Sequence, residues 1–161
     1  GRLAGRGLWQ AAAALAEELH ARGCAAELEV WSALVDACEK ATAWERALHC
    51  VGAGWRCGAP PGVVAATAAA SACGKAREWE RACALLAAAE LGGVELNVPA
   101  LNAGISACAR GQRWAAALHV LRSMRGRALA PDMVSYNAAV SACGAARRWP
   151  LACWLLEEAR A

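Results

Sequence analysis

Short hydrogen-bonding side chains recur along this chain at one interval. Ser32, Thr67, Asn102 and Asn137 stand 35 residues apart, and Gly62, Asn97 and Asp132 keep the same spacing. Asn offers both a donor and an acceptor, Ser or Thr one hydroxyl, and ionised Asp acceptors alone. Groups of this kind can cap helices or match the polar edge of a ligand. They do not form a catalytic set, and the more reactive side chains do not assemble one either. His20, His49 and His119 do not recur with a carboxylate, and the acid pairs Glu17-Glu18 and Glu157-Glu158 read as solvated helix faces. Gly74-Lys75 lacks both the upstream Gly and the downstream Ser or Thr of a phosphate loop. The sequence therefore predicts a protein that is not an enzyme.

The nine cysteines contain no Cys-x-x-Cys, the usual zinc spacing. Cys38, Cys73, Cys108 and Cys143 again lie 35 residues apart, each after an Ala on an apolar stretch. They are expected to be small buried hydrophobes, with no metal, cofactor or disulfide.

The elements that must position these groups carry the same period. Trp9, Trp44, Trp79, Trp114 and Trp149 return every 35 residues, and Ala12, Ala47, Ala82, Ala117 and Ala152 follow them at a fixed offset of three. Such self-similarity marks stacked repeats. Units are expected over 28–62, 63–97 and 98–132, with a C-terminally truncated unit over 133–161 and the second helix of a partial unit over 1–27. Each unit reads as two helices. Apolar residues recur at helical spacing in Leu101, Ile105, Cys108 and in Tyr136, Val140, Cys143. The first helix is predicted from about Leu101 to Arg110, and from Tyr136 to about Ala145, after a short extended lead-in. The second is predicted from the Trp for about twelve residues, as in Trp114 to Arg125, with the Trp as a packing anchor. Gly92-Gly93 and Pro131 break the chain between units. Such hairpins cannot bury their faces alone and must stack on one another.

Composition agrees with close helix packing: 58% of residues are hydrophobic, Ala is abundant, and no Phe occurs. The net charge of +3 permits an anionic partner without demanding one. The longest uncharged run, 57–74, contains Pro60, Pro61 and Gly62, so no membrane span is expected.

At 35 residues per helical hairpin the unit resembles the pentatricopeptide repeat. Met133-Val134-Ser135-Tyr136-Asn137 is similar to that family's opening, and Pro131-Asp132 to its closing dipeptide. Tetratricopeptide repeats share the hairpin and the Ala but have a period of 34. The alternative they represent is a protein-binding helical scaffold. The pentatricopeptide resemblance implies an all-α, right-handed α-solenoid of stacked helix-turn-helix hairpins. It also implies single-stranded RNA as partner, with one base read per unit.

In that family the fifth and last residues of a unit choose the base. Asn102 with Asp132 resembles the uracil pair and Thr67 with Asn97 the adenine pair. Asn137 favours a pyrimidine, and Ser32 with Gly62 has no assignment. The implied footprint is 5′-N-A-U-Y-3′, with Y a pyrimidine. The second residue of a unit helps sandwich the base, a role that falls to Val64, Pro99 and Val134, whereas Glu29 does not fit it. Lys40, Lys75 and Arg110 match the phosphate-contacting position, while Ala145 stands there in the last unit with Arg147 and Arg148 nearby. On their residue types alone, Ser32, Thr67, Asn102 and Asn137 could equally be helix caps, and the cations could be dipole-stabilised helix ends.

Stacking and edge contacts supply roughly 1–3 kcal/mol per base, against an association cost of about 4–15 kcal/mol. The chain alone is expected to bind weakly, as a monomer and as part of a longer array. The resemblance further implies RNA processing, stability or translation in mitochondrion or chloroplast, with possible protein factors. Any targeting segment would lie outside a chain that opens on Gly1 in mid-pattern.

Overall fold

The computed structural model describes residues 28–56, 58 and 62–160, together with Ala14 and Glu18. Apart from those two residues, both helical, the half-hairpin expected over 1–27 lies outside the described residues, as do Trp9, Cys24, Cys57, Pro60, Pro61 and the side chain of Glu29. The described chain is an all-α solenoid of paired helices, with no strand among the described residues. Its helices are α1 (Leu28–Lys40), α2 (Trp44–Arg56), α3 (Val63–Lys75), α4 (Trp79–Leu91), α5 (Val98–Arg110), α6 (Trp114–Gly126), α7 (Met133–Ala145) and α8 (Trp149–Glu158).

The odd-numbered helices stack α1 on α3, α3 on α5 and α5 on α7, forming one layer. Each even-numbered helix packs on the odd helix before it, and α2, α4 and α6 also pack on the odd helix after it. An odd helix is thus enclosed on several sides, and its composition suits that. In α3, Ala65, Ala66, Ala68, Ala69, Ala70, Ala72 and Cys73 are all buried. A helix that is apolar nearly all round belongs in a core, and Ala keeps both helix propensity and small volume. Close approach is sharpest at Gly74, where an added Cβ would come 3.0 Å from the Ala107 Cβ and 3.1 Å from its Cα.

The turns are as periodic as the helices. Thr42, Arg77, Gln112 and Arg147, spaced by 35, adopt positive φ of 53°, 65°, 58° and 56°. After α3 the Arg77 N–H donates to the Gly74 carbonyl at 3.1 Å and the Glu78 N–H to the Cys73 carbonyl at 2.9 Å. This pair of hydrogen bonds around a left-handed residue satisfies the last carbonyls of the helix, and it recurs after α1, α5 and α7. The same closure ends α4 at Gly93 and α6 at Ala128.

Two expectations need correction. The first helices do not begin after an extended lead-in through residue 100 or 135. They begin at Val98 and Met133, because Asn97 and Asp132 are the N-caps: their side chains accept from the backbone N–H of Ala100 and Ser135. Pro99 is tolerated because its missing N–H falls in the first turn. The Trp residues do start the second helices, and Trp44, Trp79 and Trp114 pack against the core, but they are only half-buried and Trp149 is 63% exposed. Their rings face the next hairpin, whose arginine covers them: Arg81 lies over Trp44 at 4.8 Å, Arg113 over Trp79 at 4.8 Å and Arg148 over Trp114 at 5.1 Å. Cys38, Cys50, Cys73, Cys108 and Cys143 are buried free thiols, Cys83 is half-buried and Cys153 is exposed. Burial pushes the Cys73 thiol up to about 11.

Candidate functional site

Stacking the odd helices in register brings their equivalent residues to one face. A groove of about 560 Å³ runs there across α1, α3 and α5, lined by Val64, Thr67, Asn97, Pro99, Asn102 and Arg110, and at its α1 end by Asp36 and Glu39. Val64 and Val134, at the second position of α3 and α7, are 70% and 57% exposed. Pro99 is exposed at the second position of α5. Apolar side chains standing out of a face at a repeat of 35 can take the flat sides of a planar ligand.

Thr67, Asn97 and Asn102 line the groove beside Val64 and Pro99. Asn102 lies on the groove floor, 8% exposed. Its amide Nδ2 donates to the Asp132 Oδ1 at 3.0 Å. Its Oδ1 accepts from the Ser135 hydroxyl at 2.5 Å. Asp132 in turn accepts from the Ser135 backbone N–H at 2.8 Å, and its own N–H donates to the Ser135 Oγ at 3.2 Å, which closes a capping box. The Ser135 backbone N–H holds the Asp132 carboxyl below its ordinary range, against a smaller opposing effect of burial and with help from the Asn102 amide and the Ser135 hydroxyl. Asp132 therefore presents a carboxylate.

Thr67 and Asn97 line the same groove with different bonding. The Thr67 hydroxyl donates to the Val63 carbonyl of its own helix at 2.6 Å. The Asn97 Oδ1 accepts from the Ala100 N–H at 3.0 Å. Thr67 and Asn102 are thus a turn inside their helices and are not caps; the caps are their partners Asn97 and Asp132. Asn137 is exposed on α7. Ser32 is half-buried on α1, and Gly62 precedes α3 in extended backbone with no side chain to contribute.

The predicted phosphate-contacting cations differ among themselves. Arg110 is exposed and lines the groove. Lys75 is bonded to Glu39 at 3.0 Å, and Lys40 to Asp36 at 2.6 Å. Glu39 also accepts from the Ser71 hydroxyl at 2.7 Å. Burial would raise the Glu39 carboxyl, but Ser71 and Lys75 together hold it below its ordinary value. Exposed ion pairs of this type contribute little, so an incoming phosphate can compete for either lysine. The acidic end of the groove nevertheless favours anions less than the Arg110 end. Among the described residues no cluster of His, Cys, Asp or Glu could hold a metal ion, and no helix is long and apolar enough to cross a membrane.

Sequence reasoning overlooked Ser135 and the arginines over the tryptophans. The Asp-x-x-Ser spacing of a capping box was the available signal for the first. For the second it was partial: Arg113 and Arg148 keep the 35-residue interval, but Arg81 occupies a different repeat position.

Comparison with known proteins bears on what this face is for. The family model described as pentatricopeptide repeat domain matches residues 84–146, and the PPR repeat model matches 134–161. No curated protein matches the chain by sequence. Among solved structures, the chain is similar to the pentatricopeptide repeat protein PPR10 in complex with an 18-nt psaJ RNA element. Identity is 28% and the TM-score 0.73, over 82% of this chain and 19% of that one. It is also similar in fold to PPR10 from maize, with 24% identity and a TM-score of 0.74 over 93% of this chain and 24% of that one. The chain thus spans about a fifth to a quarter of the length of these relatives.

Proposed function

The chain is a pentatricopeptide repeat protein, and from that premise we propose that its groove binds single-stranded RNA and reads one base per hairpin. The observation that carries the reading is the Asn102–Asp132 contact at 3.0 Å on the groove floor. With one Nδ2 proton given to Asp132, Asn102 keeps a second for a ligand, and the Asp132 carboxylate keeps free lone pairs. A donor beside an acceptor matches the O4 and N3–H of uracil. Cytosine presents the reverse order, N4–H₂ and N3, in the same register.

The hairpin before it offers the opposite pattern. The Thr67 proton is committed to Val63, so its oxygen can only accept. The Asn97 oxygen is committed to Ala100, so its amide nitrogen is left to donate. An acceptor beside a donor matches N6–H₂ and N1 of adenine and opposes O6 and N1–H of guanine. This supports A followed by U within 5′-N-A-U-Y-3′. Val64, Pro99 and Val134 serve as the plates between which bases lie, and Arg110 faces the backbone, joined by Lys75 and Lys40 when phosphate displaces their carboxylates. We assign the parent array to mitochondrial or chloroplast transcripts on the family resemblance alone, acting as a monomer that occupies a site and recruits or blocks protein factors.

The test joins four copies of residues 63–132 into an eight-unit array and titrates it with labelled octamers. Alternating A-U RNA should bind more tightly than G-A or C-A, binding should weaken steeply with salt as counterions are released, and Asn102→Thr in every copy, which with Asp132 resembles the family's guanine pair, should shift preference toward A-G. A folded array that binds no RNA at low salt would refute the proposal and leave a protein-binding scaffold as the better reading.

A further inference from the structure

Ser135 is fully buried, and a buried hydroxyl must account for its one proton and its lone pairs. Three partners surround it. Its Oγ lies 2.5 Å from the Asn102 Oδ1 and 2.9 Å from the Asp132 Oδ1, and it accepts the Asp132 N–H at 3.2 Å. Neither Asn102 Oδ1 nor an ionised Asp132 carries a proton, so the single Ser135 proton serves one of two acceptors. Two oxygens at 2.5 Å without a proton between them would repel, so the proton belongs to Asn102.

We propose that Ser135 is a specificity-determining residue for the base read by the hairpin before it, acting by fixing which way the Asn102 amide points. This rests on the base-reading role of Asn102 proposed above. Ser135 draws the amide oxygen to the helix side while Asp132 draws the nitrogen. The group is left presenting a donor to the groove, which suits uracil O4. Without the hydroxyl, the Asn102 oxygen loses its partner at a nearly buried site. It can recover one only by turning toward the groove at the cost of the Asp132 bond, so the two orientations compete, and the turned one would accept from cytosine N4–H₂. Ser135 therefore selects against cytosine, from the third position of the following hairpin.

The rest of the chain carries the complementary observation. The equivalent of Ser135 one hairpin earlier is Ala100, and there the reading residue is Thr67. Thr67 satisfies its own hydroxyl on the Val63 carbonyl. An amide that needs an external partner is matched with Ser, and a hydroxyl that needs none is matched with Ala.

The test uses the whole 161-residue chain in nuclear magnetic resonance titrations with 5′-CAUU-3′ and 5′-CACU-3′, suited to weak binding. The parent chain should prefer the U-containing RNA by about fivefold or more, the lower range for one well-formed edge contact. Ser135→Ala should lower the ratio by about twofold or more without abolishing it, because the Asp132 carboxylate still accepts uracil N3–H and opposes cytosine N3, and Ser135→Thr should restore it. Ser135→Cys keeps the volume but donates weakly. It should lower the ratio as Ala does, and it serves if the Ala variant folds poorly. A purely structural role as one arm of the capping box would weaken both RNAs equally and leave the ratio unchanged, which would overturn the proposal. A parent chain that binds RNA without distinguishing U from C, or that binds none, would instead overturn the base reading on which it rests.

Discussion

Gly52 and Gly74 make a matched pair of substitutions whose outcomes should differ in sign. Both glycines lie within helices, α2 and α3, and replacing a helical Gly by Ala ordinarily stabilises by about 0.5–1 kcal/mol. At Gly52 the new Cβ would meet only the Arg56 guanidinium at 3.5 Å, an ordinary contact. At Gly74 it would come 3.0 Å from the Cβ, 3.1 Å from the Cα and 3.6 Å from the N of Ala107. Backbone atoms of a packed helix cannot step aside, so α3 and α5 must separate, at the cost of about 1–3 kcal/mol typical of overpacking. Subtracting the propensity gain, Gly74→Ala should lose up to about 2.5 kcal/mol, while Gly52→Ala gains about 0.5–1 kcal/mol. At about 2–4 °C per kcal/mol for a chain of this size, the melting temperature should fall by up to roughly 10 °C in the first and rise by roughly 1–4 °C in the second. Thermal melts followed by circular dichroism decide it. Because Gly74 lines the groove and the α3–α5 spacing sets Thr67 relative to Asn102, the Gly74 variant should also bind RNA less well than the Gly52 variant. A Gly74→Ala protein melting at or above the parent would refute the claim that these helices touch through that glycine.

Ala128 holds φ of 55° where the equivalent Gly93 holds 86°, so Ala128→Gly should relieve strain and stabilise by about 0.5–1 kcal/mol, read from the same melts. Asp132 titrates below its ordinary 3.8. A depressed carboxyl contributes stability that is present above its unfolded pKa and is lost as pH falls through its folded pKa. Stability should therefore drop as pH falls below about 4. Asp132→Asn, which keeps a capping oxygen, should flatten that part of the pH profile, and an unchanged slope would show that other carboxylates are responsible.

Much of the architecture was legible because a repeat writes the same local rules several times. The 35-residue return of Trp44, Trp79, Trp114 and Trp149 located the second helices. Helical spacing of apolar residues located the first helices but not their starts, because the caps Asn97 and Asp132 lie outside the apolar pattern. That both residues cap helices was hidden, since a cap and a proposed reading group have the same residue types.

Contacts between hairpins were not legible. Lys75 meets Glu39, Arg113 covers Trp79, and Ser135 reaches back to Asn102, each across a hairpin boundary. Period and propensity are properties of one unit and can be counted along the chain. Which side chains of adjacent units meet depends on how closely and at what angle the helices pack. That spacing is set in three dimensions by contacts such as Gly74 on Ala107, where the absence of a side chain lets two backbones touch and so fixes the distance over which every polar group in the groove must reach.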